Sequence, residues 1–389
     1  MKNLLLLLVL LFVSHIVVMG QYVEKKLMYG GAQRTYLQYT PTTIAPADEA
    51  PVLFLLHGLG DDINNFTSAM NLLSEAEQRG WILVFPQALN ATVLTYNLGT
   101  FWNAGLSLVV MGMPISPNSN VDDVGFLMAV LDEVESNTAV DADSVFFAGF
   151  SLGGIMCHKM AVEHGDRIKG VASVAGALPQ ACATATPVES ISVLHIHGTG
   201  DQVLSYENAA FTIDPYGTFS IGLGAEASVE YWRAFNQCDD IPLIEFYPDT
   251  QNDGMNFELY TYRGGNGGSR VALLKAVNGD HECYIGDSYD IDYRDEIIRF
   301  FTDKMDPTTV KSITMASSLR LCPNPASNMV HVIMGASEND IVEVADLIGR
   351  VWMRQPLHHG GFDVSTLPSG VYIVRMASDQ SRCVKLVVE

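Results

Sequence analysis

Short apolar runs alternate with segments of helical spacing through the first three quarters of the chain. But for Ser173, His195 and Lys275, residues 52–56, 81–86, 145–148, 171–175, 193–196 and 271–277 are apolar on both alternating sides. A strand with no polar side is one covered above and below. Between these runs, residues 68–78, 124–134, 152–163, 229–235 and 292–301 carry the pattern of helices packed on one side. Strand and helix in turn predict an α/β unit with a mostly parallel sheet covered on both faces. Residues 22–41 read as a hairpin about Gly30-Gly31, and residues 87–120, rich in Asn, Gly and Pro, as irregular. The pattern changes after residue 306. Residues 307–318 read as a linker. Residues 319–389 alternate as short strands at 329–333, 341–344, 371–376 and 384–388 with no helix, which predicts a small all-β sandwich.

Residues 1–20 stand apart. Lys2 precedes an apolar run over 4–13, interrupted by Ser14 and His15 and closed by Gly20. This predicts a leader cleaved after Gly20 rather than a membrane anchor. The expected organisation is then a leader (1–20), an α/β domain (21–306), a linker (307–318) and a C-terminal module (319–389).

Charge narrows the partners. With 22 Lys and Arg against 44 Asp and Glu, the formal net charge is -22. Such a surface repels phosphate backbones, which excludes nucleic acid as a partner. Six cysteines contain no CxxC pair, so no zinc site is expected. Six cysteines allow about 15 full pairings. A Cys238–Cys283 bridge is expected, because it would restrain the loop just after His281.

The chemistry starts at Gly149-Phe150-Ser151-Leu152-Gly153, which fits a G-x-S-x-G turn between a strand and a helix. Such a turn lifts a serine hydroxyl above the sheet edge and sets it at a helix N-terminus, where developing negative charge is favoured. His57-Gly58-Leu59-Gly60 follows an earlier strand. The N–H groups of Leu59 and Leu152 are the expected oxyanion donors. Asp201, in His197-Gly198-Thr199-Gly200-Asp201, is the expected acid. Of ten histidines, His281 alone lies after the acid and before the last helix of the domain, and is the expected base. His195 and His197 read as core histidines. The triad needs no metal or organic cofactor.

These segments resemble a known family. Val121-Asp122-Asp123-Val124-Gly125-Phe126-Leu127, the serine turn, His195-Ile196-His197-Gly198-Thr199-Gly200-Asp201 and Gly279-Asp280-His281 are similar to polyhydroxybutyrate depolymerases and feruloyl esterases. The resemblance implies an α/β-hydrolase fold and a secreted carboxylic-ester hydrolase acting on feruloyl, acetyl-polysaccharide or polyhydroxyalkanoate esters, with Ser151, Asp201 and His281 as triad. Phe101-Trp102-Asn103-Ala104-Gly105 resembles the family's Trp-Asn segment near the cleft, which implies substrate contacts from Trp102 and Asn103. Glu282 and Cys283 follow His281 where the family often has Thr-Trp-Pro, so an aromatic substrate contact is missing. Pro323-Asn324-Pro325-Ala326, the run 344–350 and Leu367-Pro368-Ser369-Gly370-Val371-Tyr372 resemble a type IX secretion sorting domain. That implies export through the outer membrane by the type IX machinery, with release or surface attachment. A serine peptidase of the same fold and a catalytically inactive surface-binding protein are the competing readings.

Overall fold

The computed structural model describes residues 21–302 and 319–388, apart from 46–47, 94–95, 111–112, 214–216, 335–339, 347–349, 358–359 and 378. The expected leader and linker lie outside the described residues. The chain divides into two compact units, Met1–Lys304 and Met305–Glu389.

The first unit is built on a ten-stranded sheet. Its strands are β1 (Val23–Tyr29), β2 (Ala32–Tyr39), β3 (Ala50–Leu56), β4 (Ile82–Pro86), β5 (Val140–Phe150), β6 (Gly170–Val174), β7 (Ser192–Gly198), β8 (Leu243–Phe246), β9 (Asn256–Tyr262) and β10 (Val271–Val277). They lie in the order β1-β2-β4-β3-β5-β6-β7-β10-β9-β8. The central strands from β4 to β10 run parallel. An antiparallel pair closes each edge.

Six longer helices cover the sheet, α1 (Ile63–Met70), α2 (Leu73–Arg79), α3 (Asp123–Asn137), α4 (Leu152–His164), α5 (Ala225–Asn236) and α6 (Tyr293–Thr302), and a single helical turn lies at Gln180–Ala183. Alternation along β3 explains the apolar runs. Val52, Phe54 and Leu56 enter one core with α3, α4 and α5. Leu53 and Leu55 enter the other with α1, α2 and α6. Both faces of the strand are buried, so both must be apolar.

Three sequence expectations change. The helix expected at 68–78 is two helices, broken where Asn71 takes a left-handed conformation with φ 43. Residues 87–120 contain two short hairpins, Asn90–Val93 with Tyr96–Thr100 and Leu108–Val110 with Met113–Ile115. Strands β8 and β9 arise where the apolar pattern predicts nothing, because edge strands are half exposed and carry residues such as Glu245 and Glu258.

The Cys238–Cys283 bridge does not form. Both are free thiols. Cys238 belongs to the core on the α5 face, whereas Cys283 packs against the core on the α6 face. The sheet separates them.

The second unit holds a three-stranded sheet, Arg320–Cys322, Met329–Met334 and Gly361–Asp363, and a four-stranded sheet, Val351–Pro356, Ile341–Asp346, Gly370–Met376 and Asp379–Val388. All pairings within them are antiparallel. Val330, Val342, Val344, Phe362, Val374 and Leu386 form a core of its own.

Candidate active site

Strand β5 and helix α4 meet at Ser151 with no room between them. Ser151 takes φ 54 and ψ -118, a conformation L residues rarely adopt. A Cβ at Gly153 would overlap the Leu56 carbonyl oxygen of β3, and one at Gly149 would overlap the Gly153 backbone. Only glycine at both positions lets the turn close, which is why the motif carries them. The Ser151 N–H donates to the Val174 carbonyl oxygen at 2.7 Å, tying the turn to β6.

Two neighbouring strand ends bring the partners to this serine. The Ser151 hydroxyl lies 3.0 Å from Nε2 of His281. Nδ1 of His281 lies 2.7 Å from Oδ2 of Asp201. His281 also packs on Phe150, with ring centroids 5.1 Å apart. The loops after β7 and β10 are stitched together: Thr199 N–H donates to the Ala276 carbonyl oxygen at 2.9 Å, and Gly200 N–H to that of Gly279 at 2.8 Å. A Cβ at Gly198 would overlap the Gly279 carbonyl oxygen.

Asp201 is buried and fully engaged. Its Oδ1 accepts from the N–H groups of Val203 and Leu204, each at 2.8 Å. Its Oδ2 faces Nε2 of His197 at 3.1 Å as well as His281. Burial alone would raise this carboxyl. The bonds from His197, His281 and Leu204 outweigh burial and hold it below the ordinary carboxylate range.

Leu152 is the first residue of α4, so its N–H has no carbonyl to meet within the helix. The loop carrying Leu59 comes close to the serine: a Cβ at Gly58 would sit 3.6 Å from Cβ of Ser151. The Leu59 side chain is 52% exposed, so any contribution to an oxyanion site is through its backbone. The loop is held from behind by His57. Its Nδ1 donates to the Gly58 carbonyl oxygen at 2.7 Å, and its Nε2 accepts the Ala88 N–H at 3.2 Å. Burial pushes this imidazole below its usual pKa.

Trp102 does not serve as the resemblance implies. Trp102 is 0% exposed, and its indole N–H donates to the His57 carbonyl oxygen at 3.0 Å. A side chain closed off from solvent and satisfied internally has no face for substrate. Asn103 is half-buried; its Nδ2 donates to the Val121 carbonyl oxygen at 2.7 Å, and its N–H to Asp123 at 2.7 Å. Trp102 braces the scaffold behind the site, and Asn103 ties its own loop to residues 121 and 123. The signal that separates the roles is local: Phe101, Trp102, Ala104 and Leu106 all enter one core.

His158, on α4, and His195 and His197, whose sequence positions read as core, extend the site inward. Among the described residues, Asp249, Asp253 and Asp290 bring carboxylate oxygens within 4.8 Å of one another. Asp249 and Asp253 cap their own loop, accepting from the Asn252 and Met255 N–H groups, and Asp290 accepts from the Thr250 N–H of that loop.

Comparison with known proteins agrees with this architecture. Residues 40–219 match the family described as Phospholipase/Carboxylesterase, and residues 320–389 match the Secretion system C-terminal sorting domain. A protein of Nocardia uniformis subsp. tsuyamanensis that bears the name of an esterase is 28% identical over 66% of this chain and 72% of its own length. A bifunctional acetylxylan esterase/xylanase of Neocallimastix patriciarum is 23% identical over 67% of this chain and 33% of its own. Feruloyl esterase B of Piromyces equi is 25% identical over 60% of this chain and 39% of its own. The chain thus spans well under half the length of the latter two. The parallel sheet and the strained serine turn are those of an α/β-hydrolase fold; within it residues 40–219 are similar to the phospholipase/carboxylesterase family, and residues 320–389 are similar to the secretion system C-terminal sorting domain.

Proposed function

We propose that this chain is an exported serine esterase in which Ser151, His281 and Asp201 form the catalytic triad. The observation that carries this reading is the continuous contact from the Ser151 hydroxyl through His281 to Asp201, at 3.0 and 2.7 Å. In the reaction, Ser151 Oγ attacks the ester carbonyl carbon as Nε2 of His281 takes its proton. The Leu59 and Leu152 N–H groups stabilise the resulting oxyanion. His281 then gives the proton to the leaving alkoxide. The acyl-enzyme is cleared by water activated by the same imidazole, and Asp201 keeps His281 in the tautomer that accepts at Nε2.

The substrate reading is a short or aromatic acyl ester on a polysaccharide. Its support is the acetylxylan and feruloyl esterase names of relatives. Polyhydroxyalkanoate is the competing polymer. The same reading takes residues 1–20 as a leader, 21–306 as the catalytic domain, 307–318 as a linker and 319–389 as a sorting domain that hands the chain to the type IX machinery for the cell surface or medium; its support is the sorting-domain match over 320–389.

The test is turnover of p-nitrophenyl acetate by the full chain and by Ser151→Ala. The variant is expected to lose about four to six orders of magnitude in kcat. Near-normal turnover by Ser151→Ala sinks the triad. Preference for long-chain triglycerides over methyl ferulate and acetylated xylan sinks the substrate class.

A further inference from the structure

A neutral imidazole has one N–H donor and one bare nitrogen acceptor. An indole N–H only donates, and a carbonyl oxygen only accepts. These rules order a row of side chains behind Asp201. The Trp232 indole N–H meets Nδ1 of His158 at 3.1 Å. Nε2 of His158 meets Nδ1 of His195 at 3.2 Å. Nε2 of His195 meets Nδ1 of His197 at 3.3 Å. Nε2 of His197 meets the Leu204 carbonyl oxygen at 2.9 Å and Oδ2 of Asp201 at 3.1 Å.

Each end fixes the same direction. Because Trp232 can only donate, Nδ1 of His158 must be bare and its Nε2 must carry the proton. Because Leu204 offers a carbonyl and Asp201 a carboxylate, Nε2 of His197 must carry a proton too. One assignment satisfies every link: all three imidazoles neutral, each protonated at Nε2, each pointing its proton toward Asp201. Exclusion of water protects the assignment. Trp232, His158 and His195 are 0% exposed and His197 is 1% exposed. Burial pushes His158 down to about 3 and His195 well below its usual range, so both stay uncharged.

We propose that His158, His195 and His197 form a one-way hydrogen-bond relay, ordered by Trp232, that positions Asp201 for its work on His281. The proposal rests on the triad reading above. Within the relay, His197 is the positioning residue. Its one Nε2 proton is shared between the Leu204 carbonyl oxygen at 2.9 Å and, at 3.1 Å, the carboxylate oxygen that faces His281, while the N–H groups of Val203 and Leu204 hold the other oxygen. Four donors leave the carboxylate no freedom to rotate. A reversed His197 would set a lone pair against both the Leu204 carbonyl and Asp201. The protons two and three residues back therefore decide whether Asp201 is held.

The test is the tautomer state of each histidine in the full chain, labelled with 15N and read at neutral pH by long-range proton–nitrogen correlations. His158, His195 and His197 are expected to be protonated at Nε2 with bare Nδ1. His57 is the internal contrast, since its Nδ1 faces a carbonyl and its Nε2 accepts an N–H, and is expected in the opposite tautomer. An Nδ1–H or cationic form at any of the three relay histidines overturns the relay. Kinetics supply the second measurement. His197→Leu is expected to lower kcat by roughly tenfold to a hundredfold, with KM within about twofold. His197→Gln, whose amide presents an N–H near the Nε2 position, is expected to recover most of that loss. If His197→Gln is no better than His197→Leu, the positioning role is wrong. Active Ser151→Ala would refute the triad while leaving the tautomer result to stand or fall alone.

Discussion

His57-Gly58 and His197-Gly198 follow or close two strands of one sheet with the same two residues, yet the two imidazoles face opposite ways. At the end of β3, His57 donates from Nδ1 to the next carbonyl and accepts at Nε2 from Ala88. It acts on its own backbone, folding the loop that carries Leu59. At the end of β7, His197 accepts at Nδ1 from His195 and donates at Nε2 toward Asp201. It acts on a side chain four residues on. What differs is the material behind each ring. Behind His57 stand Gln87, Ala88 and Trp102, a neutral shell that shapes backbone. Behind His197 stand two more histidines and an indole, which order protons. The same dipeptide builds a backbone cradle at one corner and supports a charge at the other.

The comparison breaks hardest at the charge. Asp201→Asn keeps the shape of the β7 corner and removes its anion, so His281 loses the tautomer that accepts from Ser151. A fall of about 10⁴ in kcat is expected, with KM little changed. Steady-state kinetics on p-nitrophenyl acetate check this; a loss under tenfold contradicts the role of Asp201.

Acid tests both corners together. His57, His158 and His195 are buried with lowered pKa, burial being the first cause in each. Their unfolded-state value is about 6.5. A lowered imidazole contributes stability that is complete above about pH 6.5 and is lost as the pH falls toward its folded value, which for His158 is about 3. Each such group is expected to cost about 1.4 kcal/mol per pH unit below 6.5. Asp201, held low by its donors, adds to the loss only below about pH 4. The β7 corner carries two of these imidazoles and the β3 corner one, so hydrogen exchange in β7 should accelerate before that in β3. Unfolding midpoints unchanged between pH 7.5 and 5.5 would contradict this.

At the β3 corner the failure is one of packing. Trp102→Phe removes the donor from the His57 carbonyl in a site with no solvent. An unsatisfied buried carbonyl costs about 1–3 kcal/mol, and a melting temperature lower by about 2–4 °C for each kcal/mol is expected. Turnover should fall far less than in Asp201→Asn. If the variant instead raises KM for aromatic esters with no change in melting temperature, Trp102 touches substrate after all.

Much of this was legible in the sequence, for reasons that differ by residue. The core strands declare themselves because both faces of β3 and β4 are buried and so both are apolar. Ser151 is legible because its turn admits only glycine at 149 and 153. His281 is legible by its order in the chain. The rest depends on what lies across space. Strands β8 and β9 sit at an edge and carry a mixed pattern. Trp102 resembles a cleft residue in sequence, and only its 0% exposure removes it from substrate. His195 and His197 stand two apart on one strand and so share a face, a spacing visible beforehand. That His158 and Trp232 complete the row from α4 and α5 is a fact of packing, not of spacing.

The smallest effect expected comes from the largest deletion. Both corners, the serine turn and the relay all lie between residues 57 and 281, within the first compact unit. That unit has a core on each face of its sheet, and the second unit has a core of its own built from residues such as Val330, Val344 and Phe362. Each core is made up of residues of its own unit, so removal of the second unit is expected to leave the stability of the first unchanged. Residues 21–306 expressed alone are therefore expected to match the 21–389 form in kcat on p-nitrophenyl acetate within about twofold, and in melting temperature within about 2 °C. A larger drop in melting temperature would mean that the second unit supports the first. A drop confined to polymeric substrates, with the small ester unaffected, would instead assign residues 319–389 a part in substrate capture, and neither corner of the site would then account for the whole of the enzyme's specificity.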